Sequence, residues 1–373
     1  MCGIVGGIAE RPVHPILIEG LKHLEYRGYD SAGIALVNQN HELTRWRVTG
    51  KVSNLEQQIN SHPSETLGIA HTRWATHGAP TQCNAHPHLS SDRYAIVHNG
   101  IIENYQALKA DLQQRGYHFS SETDSEVIAH LLHHYNQDND LLSALKKTCD
   151  DLCGAYAICC IDKTTPDRLY AVRRGSPLVL GLGINEHFIA SDALALLPVT
   201  QKIIYLHEGD LVQLSKSKVD IRDEHLRPVQ RQIQHTSLTA DTIDKSEYRH
   251  HMLKEIFQQP SVATDTLKLF QAPTPFPLNA FGQRANALLP KVKRIQIVAC
   301  GTSYHAGLVA QHWLESIAHI PTQVDIASEH RYRPRIVEQD TLFIALSQSG
   351  ETADTLAALR NAPQAGYLAT LGI

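Results

Sequence analysis

The sequence predicts an α+β domain in which helices flank antiparallel sheets, followed by an α/β domain built on a parallel sheet. Three features of the 373-residue chain lead there. Strand-sized apolar runs outnumber helical stretches up to about residue 230; the texture turns polar and then charged over residues 230–260; beyond that, short apolar runs alternate regularly with helical ones. At ~150 residues per domain, this length admits two domains, or three small ones, each able to bury a core.

In chain order, the first region offers strands at 3–9, 32–37, 67–71, 94–98, 155–161, 169–172, 178–181, 188–190, 203–206 and 211–214. Helices are predicted at 15–24, 105–115 and 125–135, the last opened by Thr123 with Glu126 three residues on, a capping-box spacing. So many strands with so few helices between them imply antiparallel pairing, because parallel neighbours need long crossovers. A polar segment over 230–246 and a charged helical run over 247–259, ending at Pro260, mark the domain boundary. Residues 1–230 are therefore expected to form the first domain, 231–260 a linker and helix, and 261–373 the second. There, strand 295–300, helix 304–318, strands 323–327 and 342–346, helix 353–360 and a strand-like run over 367–373 predict a parallel sheet with crossover helices. The sequence stops inside that last run. A parallel sheet ending on an uncovered apolar strand is poorly satisfied, so the second domain is expected to be incomplete.

Composition excludes several functional classes. With 34 Lys+Arg against 38 Asp+Glu and a net charge of −4, the chain has no bulk positive charge for nucleic acid or an acidic membrane. Charged residues at 19% beside 42% hydrophobic ones describe a chain that folds. No stretch approaches the ~18 consecutive apolar residues of a membrane span. The N-terminus lacks a basic segment and meets Glu10 and Arg11 too early for a signal peptide. Seven cysteines (Cys2, Cys83, Cys149, Cys153, Cys159, Cys160 and Cys300) show no disulfide spacing, which fits a reducing cytoplasm. The pair Cys149 and Cys153 has no second pair to complete a metal clip and reads as buried thiols.

Cys2 is the most informative residue. Removal of Met1 would leave a thiol and a free α-amino group on one residue, and that amine, with an ordinary pKa near ~8, can act as base for its own side chain. The glycine-rich run Cys2-Gly3-Ile4-Val5-Gly6-Gly7 lets another backbone or a ligand approach closely. Its alternative is a small residue that merely follows the start codon. In His71-Thr72-Arg73-Trp74-Ala75-Thr76-His77-Gly78, a guanidinium, an indole and hydroxyls together suit a small carboxylate. At the end of another strand, Asn99 and Gly100 offer an amide and a backbone N–H to one developing oxyanion. Asp124 either pairs with a substrate ammonium or complements the dipole of the helix it precedes.

These blocks, with Leu24-Glu25-Tyr26-Arg27-Gly28-Tyr29-Asp30-Ser31-Ala32-Gly33 and Ser121-Glu122-Thr123-Asp124, occur in the order of the class II glutamine amidotransferase domain, and residues 1–230 resemble it. The resemblance implies a four-layered αββα fold of the N-terminal nucleophile hydrolases. It also implies Cys2 as nucleophile, Asn99 and Gly100 as oxyanion hole, Arg73, Thr76, His77 and Asp124 as glutamine-binding residues, and Trp74 as a mobile gate.

Two strand-to-helix turns in the second region are rich in hydroxyls: Cys300-Gly301-Thr302-Ser303 and Ser347-Gln348-Ser349-Gly350-Glu351-Thr352. Backbone N–H groups and hydroxyls converging at a helix start favour an anion. The alternative is N-capping by Thr302 or Ser349. Neither a Gly-x-Gly-x-x-Gly run nor a glycine–lysine phosphate loop is present, which argues against a dinucleotide or a nucleoside triphosphate. Ala299–Ser303, Ala327-Ser328-Glu329-His330-Arg331-Tyr332-Arg333 and Leu346–Thr355 resemble the sugar isomerase (SIS) domain family, here an incomplete α/β parallel-sheet domain. That likeness implies a sugar phosphate held by Thr302, Ser303, Ser347, Gln348, Ser349 and Thr352.

Together, the two resemblances imply an enzyme that moves the amide nitrogen of L-glutamine onto fructose 6-phosphate to give glucosamine 6-phosphate. The chain as it stands is expected to be limited to glutamine hydrolysis. The same resemblance implies a protein that is dimeric at full length; with the cysteine usage, charge and spacing above, the expectation is a cytoplasmic protein with no cofactor, no metal, and neither nucleic acid nor membrane as partner. Two other classes compete. A different class II amidotransferase, of the phosphoribosyl pyrophosphate or asparagine type, would require a pyrophosphate loop or an ATP site. The other is a chain that binds phosphosugar without turnover. Among the 23 histidines, His86 and His88 with His77 nearby raise a metal site, but their spacing fits neither a helical pair nor a carboxylate-backed zinc centre, so hydrogen-bonding roles are expected.

Overall fold

The computed structural model describes residues 2–28, 30–59, 63–136, 140–236, 248, 250–270, 281, 284–334, 336–348, 350 and 352–373. They form two compact units, Met1–Asp244 and Lys245–Ile373. Among the described residues no helix is long and apolar enough to cross a membrane.

The strands of the first unit are β1 (Gly3–Ile8), β2 (Ser31–Val37), β3 (Leu43–Thr49), β4 (Leu67–Arg73), β5 (His88–Ser90), β6 (Tyr94–Ile102), β7 (Gly154–Asp162), β8 (Leu169–Arg174), β9 (Val179–Leu182), β10 (His187–Ala190), β11 (Lys202–Tyr205), β12 (Leu211–Leu214), β13 (Val219–Arg222) and β14 (Ile233–His235). Its helices are α1 (His14–Leu24), α2 (Val52–Gln58), α3 (Tyr105–Gln114), α4 (Glu126–Tyr135) and α5 (Leu141–Asp151). One sheet runs β14-β11-β9-β10-β1-β4-β2-β3, the other β13-β12-β8-β7-β6-β5. Both are built from antiparallel pairs.

The sheets stack face to face. Ile4, Ile8 and Ile69 of the first meet Val97, Cys159 and Leu169 of the second in one core. Outside the first sheet, Val5 and Phe188 pack under Leu17 and Leu21 of α1 and Leu55 of α2. Outside the second, Ile158 and Cys160 pack under Leu112 of α3, Val127 of α4 and Leu145 of α5. Each sheet is thus buried on both faces, which is why β1 and β2 read as continuous apolar runs and not as alternating ones. Strand period two sends the adjacent Cys159 and Cys160 into different cores. Truncating one of these fully buried leucines to alanine should cost about 2–5 kcal/mol.

Three local expectations are corrected. Glu126 forms no capping box with Thr123; Ser125 is the N-cap of α4, and the Glu126 carboxylate accepts from the amides of Ser120 and Ser121 at 2.9 and 2.7 Å and from their hydroxyls. The helix starts at Glu126, so this residue stands at its first and not its third position, and the Thr123 amide donates instead to the Ser121 hydroxyl at 3.4 Å. Cys153, expected buried, is exposed, while Cys149 is buried. In the second unit, α6 (His251–Phe270) runs through Pro260. The helix is exposed along this stretch, so water can satisfy the carbonyl that proline leaves without a donor. Residue 247, where that helix was expected to begin, lies outside the described residues.

The second unit continues with α7 (Ala285–Leu288), β15 (Arg294–Ala299), α8 (Gly301–Ser316), β16 (Thr322–Ile326), α9 (Ala327–Tyr332), β17 (Thr341–Leu346), α10 (Ala353–Ala365) and β18 (Ala369–Gly372). Its sheet is parallel throughout, in the order β16-β15-β17-β18. Ala358 and Ala362 of α10 cover one face over Val298 and Phe343; Ala310 and Leu314 of α8 cover the other over Ile297 and Leu342. From β15 the chain moves to one side to make β16 and then crosses to the other to make β17. The carboxyl ends of β15 and β17 therefore flank a topological switch point, the usual ligand crevice of such sheets.

Candidate active site

Three strand ends place the functional side chains of the first unit. Cys2 leads into β1, Arg73 closes β4, and Asn99 and Gly100 lie near the end of β6. β1 lies beside β4 with Gly3 opposite Thr72 and Ile4 opposite His71, so Cys2 sits at the start of the 74–78 turn. β6 belongs to the other sheet, and the site bridges the two layers.

Cys2, Arg73, Trp74, Thr76, His77, His86, His98, Gly100, Thr123, Asp124 and Ser125 line one narrow cavity. Larger hollows exist in the second unit, such as that of about 530 Å³ between Arg294, Thr322 and Arg333, but they lie away from the hydroxyl-rich turns. The Trp74 amide donates to Cys2 Sγ at 3.3 Å, and the thiol donates to the Trp74 carbonyl at 3.5 Å. Burial raises the Cys2 thiol above its ordinary range; the hydrogen bond to the Trp74 backbone and the charge of Arg73 offset part of that rise. A neutral thiol near pH 7 therefore needs a base before it can attack. Trp74 itself is half exposed at the rim.

Arg73 is buried, and its guanidinium donates to the carbonyls of His77, Gly78 and Ala79 at 2.5, 3.1 and 3.2 Å. It holds the turn that carries Thr76 and His77 as well as lining the cavity. Asp30, 3.9 Å from Arg73, receives the Ala75 amide and braces the same turn. Asp124 is buried: Oδ2 accepts from the Ile102 amide at 2.8 Å and Oδ1 from the Ser125 hydroxyl at 3.3 Å. Asn99 does not touch the thiol; its Nδ2 donates to the Cys2 carbonyl at 3.0 Å.

Two glycines are required by geometry. Gly100 has φ +138°, and a Cβ there would come within 2.0 Å of the Ala155 carbonyl oxygen. At Gly33 a Cβ would lie 2.1 Å from the His86 carbonyl oxygen, so its bareness lets the 85–87 segment pass over β2 and bring His86 to His71.

Of the histidines behind the cavity, the sequence pointed to His86 and His88 in hydrogen-bonding roles, which they have, and gave none to His71 and His98. His71 stacks on His86 with ring centres 4.1 Å apart, and His86 meets His88 edge-on at 4.6 Å. His86 Nδ1 accepts the His98 amide at 3.2 Å, and His88 Nε2 lies 3.1 Å from the Thr123 hydroxyl. The His98 ring is 2.8 Å from the Ser125 hydroxyl, and its Nε2 has no hydrogen-bond partner among the described residues. Burial lowers all four imidazoles, His71 and His88 to about 3, so they are neutral near pH 7. Among the described residues no group of His, Cys, Asp or Glu is arranged to hold a metal ion.

In the second unit, Thr302 and Ser303 lie in the first turn of α8, whose N-cap is Cys300 and which has no side-chain cap, so Thr302 is not a capping residue. Ser347 and Gln348 follow β17; the Ser347 hydroxyl accepts from the Gly350 amide at 3.1 Å. Thr352 is the N-cap of α10 without a side-chain cap bond. Ser349 lies outside the described residues. The two turns sit at the carboxyl ends of adjacent parallel strands.

Residues 71–198 match the glutamine amidotransferase domain family and residues 288–373 the SIS domain family. The glutamine–fructose-6-phosphate aminotransferase (isomerizing) of Pseudomonas putida is 56% identical over an alignment covering 100% of this chain and 61% of that protein. The protein of the same name from Idiomarina loihiensis is 52% identical, covering 100% and 62%. The chain thus spans about 61% of the length of the P. putida relative. A glutamine phosphoribosylpyrophosphate amidotransferase of B. subtilis shares the fold, with TM-score 0.54 and 17% identity over 92% of this chain and 75% of that one. So does a structure described as the allosteric regulatory enzyme of purine biosynthesis, with TM-score 0.55 and 18% identity over 100% and 80%. The first unit accordingly has a four-layered αββα fold, shared with that amidotransferase. Over its whole length the chain is thus similar to part of the glutamine–fructose-6-phosphate aminotransferases (isomerizing), and it matches a glutamine amidotransferase domain followed by an SIS domain.

Proposed function

We propose that the first unit hydrolyses the side-chain amide of L-glutamine and that the protein uses the nitrogen to convert fructose 6-phosphate to glucosamine 6-phosphate. One observation carries the reading: Cys2 Sγ shares a small cavity with Arg73, Thr76, His77, Gly100 and Asp124, with the Asn99 amide at the Cys2 carbonyl. On this reading, Met1 is removed and the α-amino group of Cys2 takes the thiol proton. Sulfur then bonds to the amide carbon while the carbonyl electrons move to oxygen, and the oxyanion is met by Asn99 Nδ2–H and the Gly100 amide. Collapse expels ammonia, which takes the proton. Water then cleaves the thioester, releasing glutamate and restoring the thiol.

Arg73 would face the α-carboxylate of glutamine and Asp124 its α-ammonium, with Thr76 and His77 completing the pocket and Trp74 closing its rim. Thr302, Ser303, Ser347, Gln348, Ser349 and Thr352 would hold the sugar phosphate through hydroxyls and helix-start amides, with no lysine needed. A cytoplasmic setting and a dimer of sugar domains go with this reading, as does a glutaminase domain over residues 1–230. The test is glutamate release with and without fructose 6-phosphate, with glucosamine 6-phosphate measured alongside. Glutamate release that Cys2→Ala abolishes supports the reading; release that survives it refutes the reading.

A further inference from the structure

A side-chain amide can serve an oxyanion only if it presents nitrogen and not oxygen. Asn99 is turned by its surroundings. Its Oδ1 lies 2.9 Å from His71 Nε2, and the same Nε2 lies 3.0 Å from the His98 carbonyl oxygen. A nitrogen facing two acceptors must carry the proton, so His71 is the Nε2–H tautomer and donates to both. The other end of the amide, Nδ2, donates to the Cys2 carbonyl. Reversing the amide would set its NH2 against the His71 N–H and its oxygen against the Cys2 oxygen, losing both bonds and opposing like poles in a buried place. His71 is itself fully buried, stacked on His86, and its Nδ1 meets no hydrogen-bond partner among the described residues. Its only polar work among the described residues is done through Nε2.

We propose that His71 is a positioning residue for the oxyanion hole: its Nε2–H holds Asn99 Oδ1 so that Asn99 Nδ2 stays turned toward Cys2. The role rests on the reading of Cys2 and Asn99 given above. It assigns His71 no contact with glutamine and no proton transfer, so it predicts a loss in kcat with KM nearly unchanged.

The test uses the whole chain and compares wild type, His71→Leu, His71→Gln, Asn99→Ala, Cys2→Ala and the double variant His71→Leu/Asn99→Ala. A glutamine side chain can set its amide nitrogen near the position of imidazole Nε2, so His71→Gln should keep kcat within about fivefold, while His71→Leu loses about 10- to 100-fold, with KM for glutamine within about threefold. The aldehyde analogue of glutamine, which forms a thiohemiacetal with the thiol, should bind more weakly to His71→Leu in proportion to the loss in kcat. Alkylation of Cys2 by iodoacetamide should be unchanged. In the Asn99→Ala background, His71→Leu should cost less than about twofold further. Wild-type kcat in His71→Leu, a loss confined to KM, or equal losses in the Leu and Gln variants would overturn the positioning role while the reading of the site stands. The full His71→Leu loss on top of Asn99→Ala would also overturn it. Activity that survives Cys2→Ala, or a wild-type kcat in Asn99→Ala, overturns the reading itself, and the role of His71 with it.

Discussion

Asn99 Nδ2 donates to the main-chain oxygen of Cys2 at 3.0 Å, so a side chain near the end of β6 in one sheet reaches the residue that leads into β1 in the other. The bond ties the site to the stacking of two sheets. Asn99→Ala should lower kcat for glutamine hydrolysis by about 10²–10³ and leave KM within a few-fold, because the amide is needed where charge develops. Steady-state kinetics of glutamate release check this, and an unchanged kcat would remove Asn99 from the oxyanion hole.

Asp124 carries its charge into the cavity on a carboxylate already held by the Ile102 amide and the Ser125 hydroxyl. Asp124→Asn keeps an acceptor for Ile102 and discards the charge. KM for glutamine should rise by about 10- to 100-fold, the worth of one charge-assisted hydrogen bond, with a melting temperature close to wild type. A raised KM for glutamine but not for an analogue lacking the α-ammonium would identify the group it meets.

Gly100→Ala should fail at the backbone. The φ of +138° and the 2.0 Å approach to the Ala155 carbonyl oxygen leave no place for a methyl group, so β6 must part from β7 locally. Strain of about 1–3 kcal/mol and loss of activity are expected together. Circular dichroism melts and glutaminase assays on one preparation measure both.

The buried histidines make stability acid-labile. Their folded pKa values lie below the unfolded value of about 6.5, so below that pH the unfolded chain binds protons that the folded one cannot. Stability is fully present above pH 6.5 and is lost as pH falls toward the folded values, at up to ~1.4 kcal/mol per pH unit for each histidine. The melting temperature should therefore fall steadily from pH 7 to pH 5, before carboxylates protonate. Glu126, pulled below its ordinary range by His130 and the Ser120 and Ser121 donors in spite of its burial, adds its own loss only at still lower pH. A flat melting temperature between pH 7 and 5 would contradict the neutral cluster.

In the second unit, hydroxyls and backbone amides are expected to do the binding. Thr302→Ala with Thr352→Ala should weaken fructose 6-phosphate binding by about 10-fold in calorimetry, two net hydrogen bonds' worth. Inorganic phosphate should compete with the sugar in the wild-type protein.

Much of this was legible in the sequence because Cys2, Arg73 and Asn99 stand at strand ends and Asp124 just ahead of a helix, each in a compact block. The layered core was legible too, since strands covered on both faces become apolar throughout. Edges were not. Strand β3 carries Arg45 and Arg47 and is only partly buried, so it lacks the apolar run that marks the central strands. Pro260 was read as a stop because a sequence does not show that its helix is exposed enough to tolerate it. The bond between His71 and Asn99 was illegible for a different reason: the residues are 28 apart and meet only when the two sheets stack.

The central claim is that the thiol of Cys2, at a freed N-terminus, attacks glutamine. Its most direct test is peptide mapping by mass spectrometry after reaction with a diazoketone analogue of glutamine, whose carbon becomes bonded to the attacking sulfur as nitrogen gas leaves. The account predicts a single adduct on Cys2 in a peptide lacking Met1, formed in step with the loss of glutaminase activity and blocked by glutamine. An active protein that retains Met1, or that takes the adduct on another of its cysteines while Cys2 stays unmodified, would contradict it.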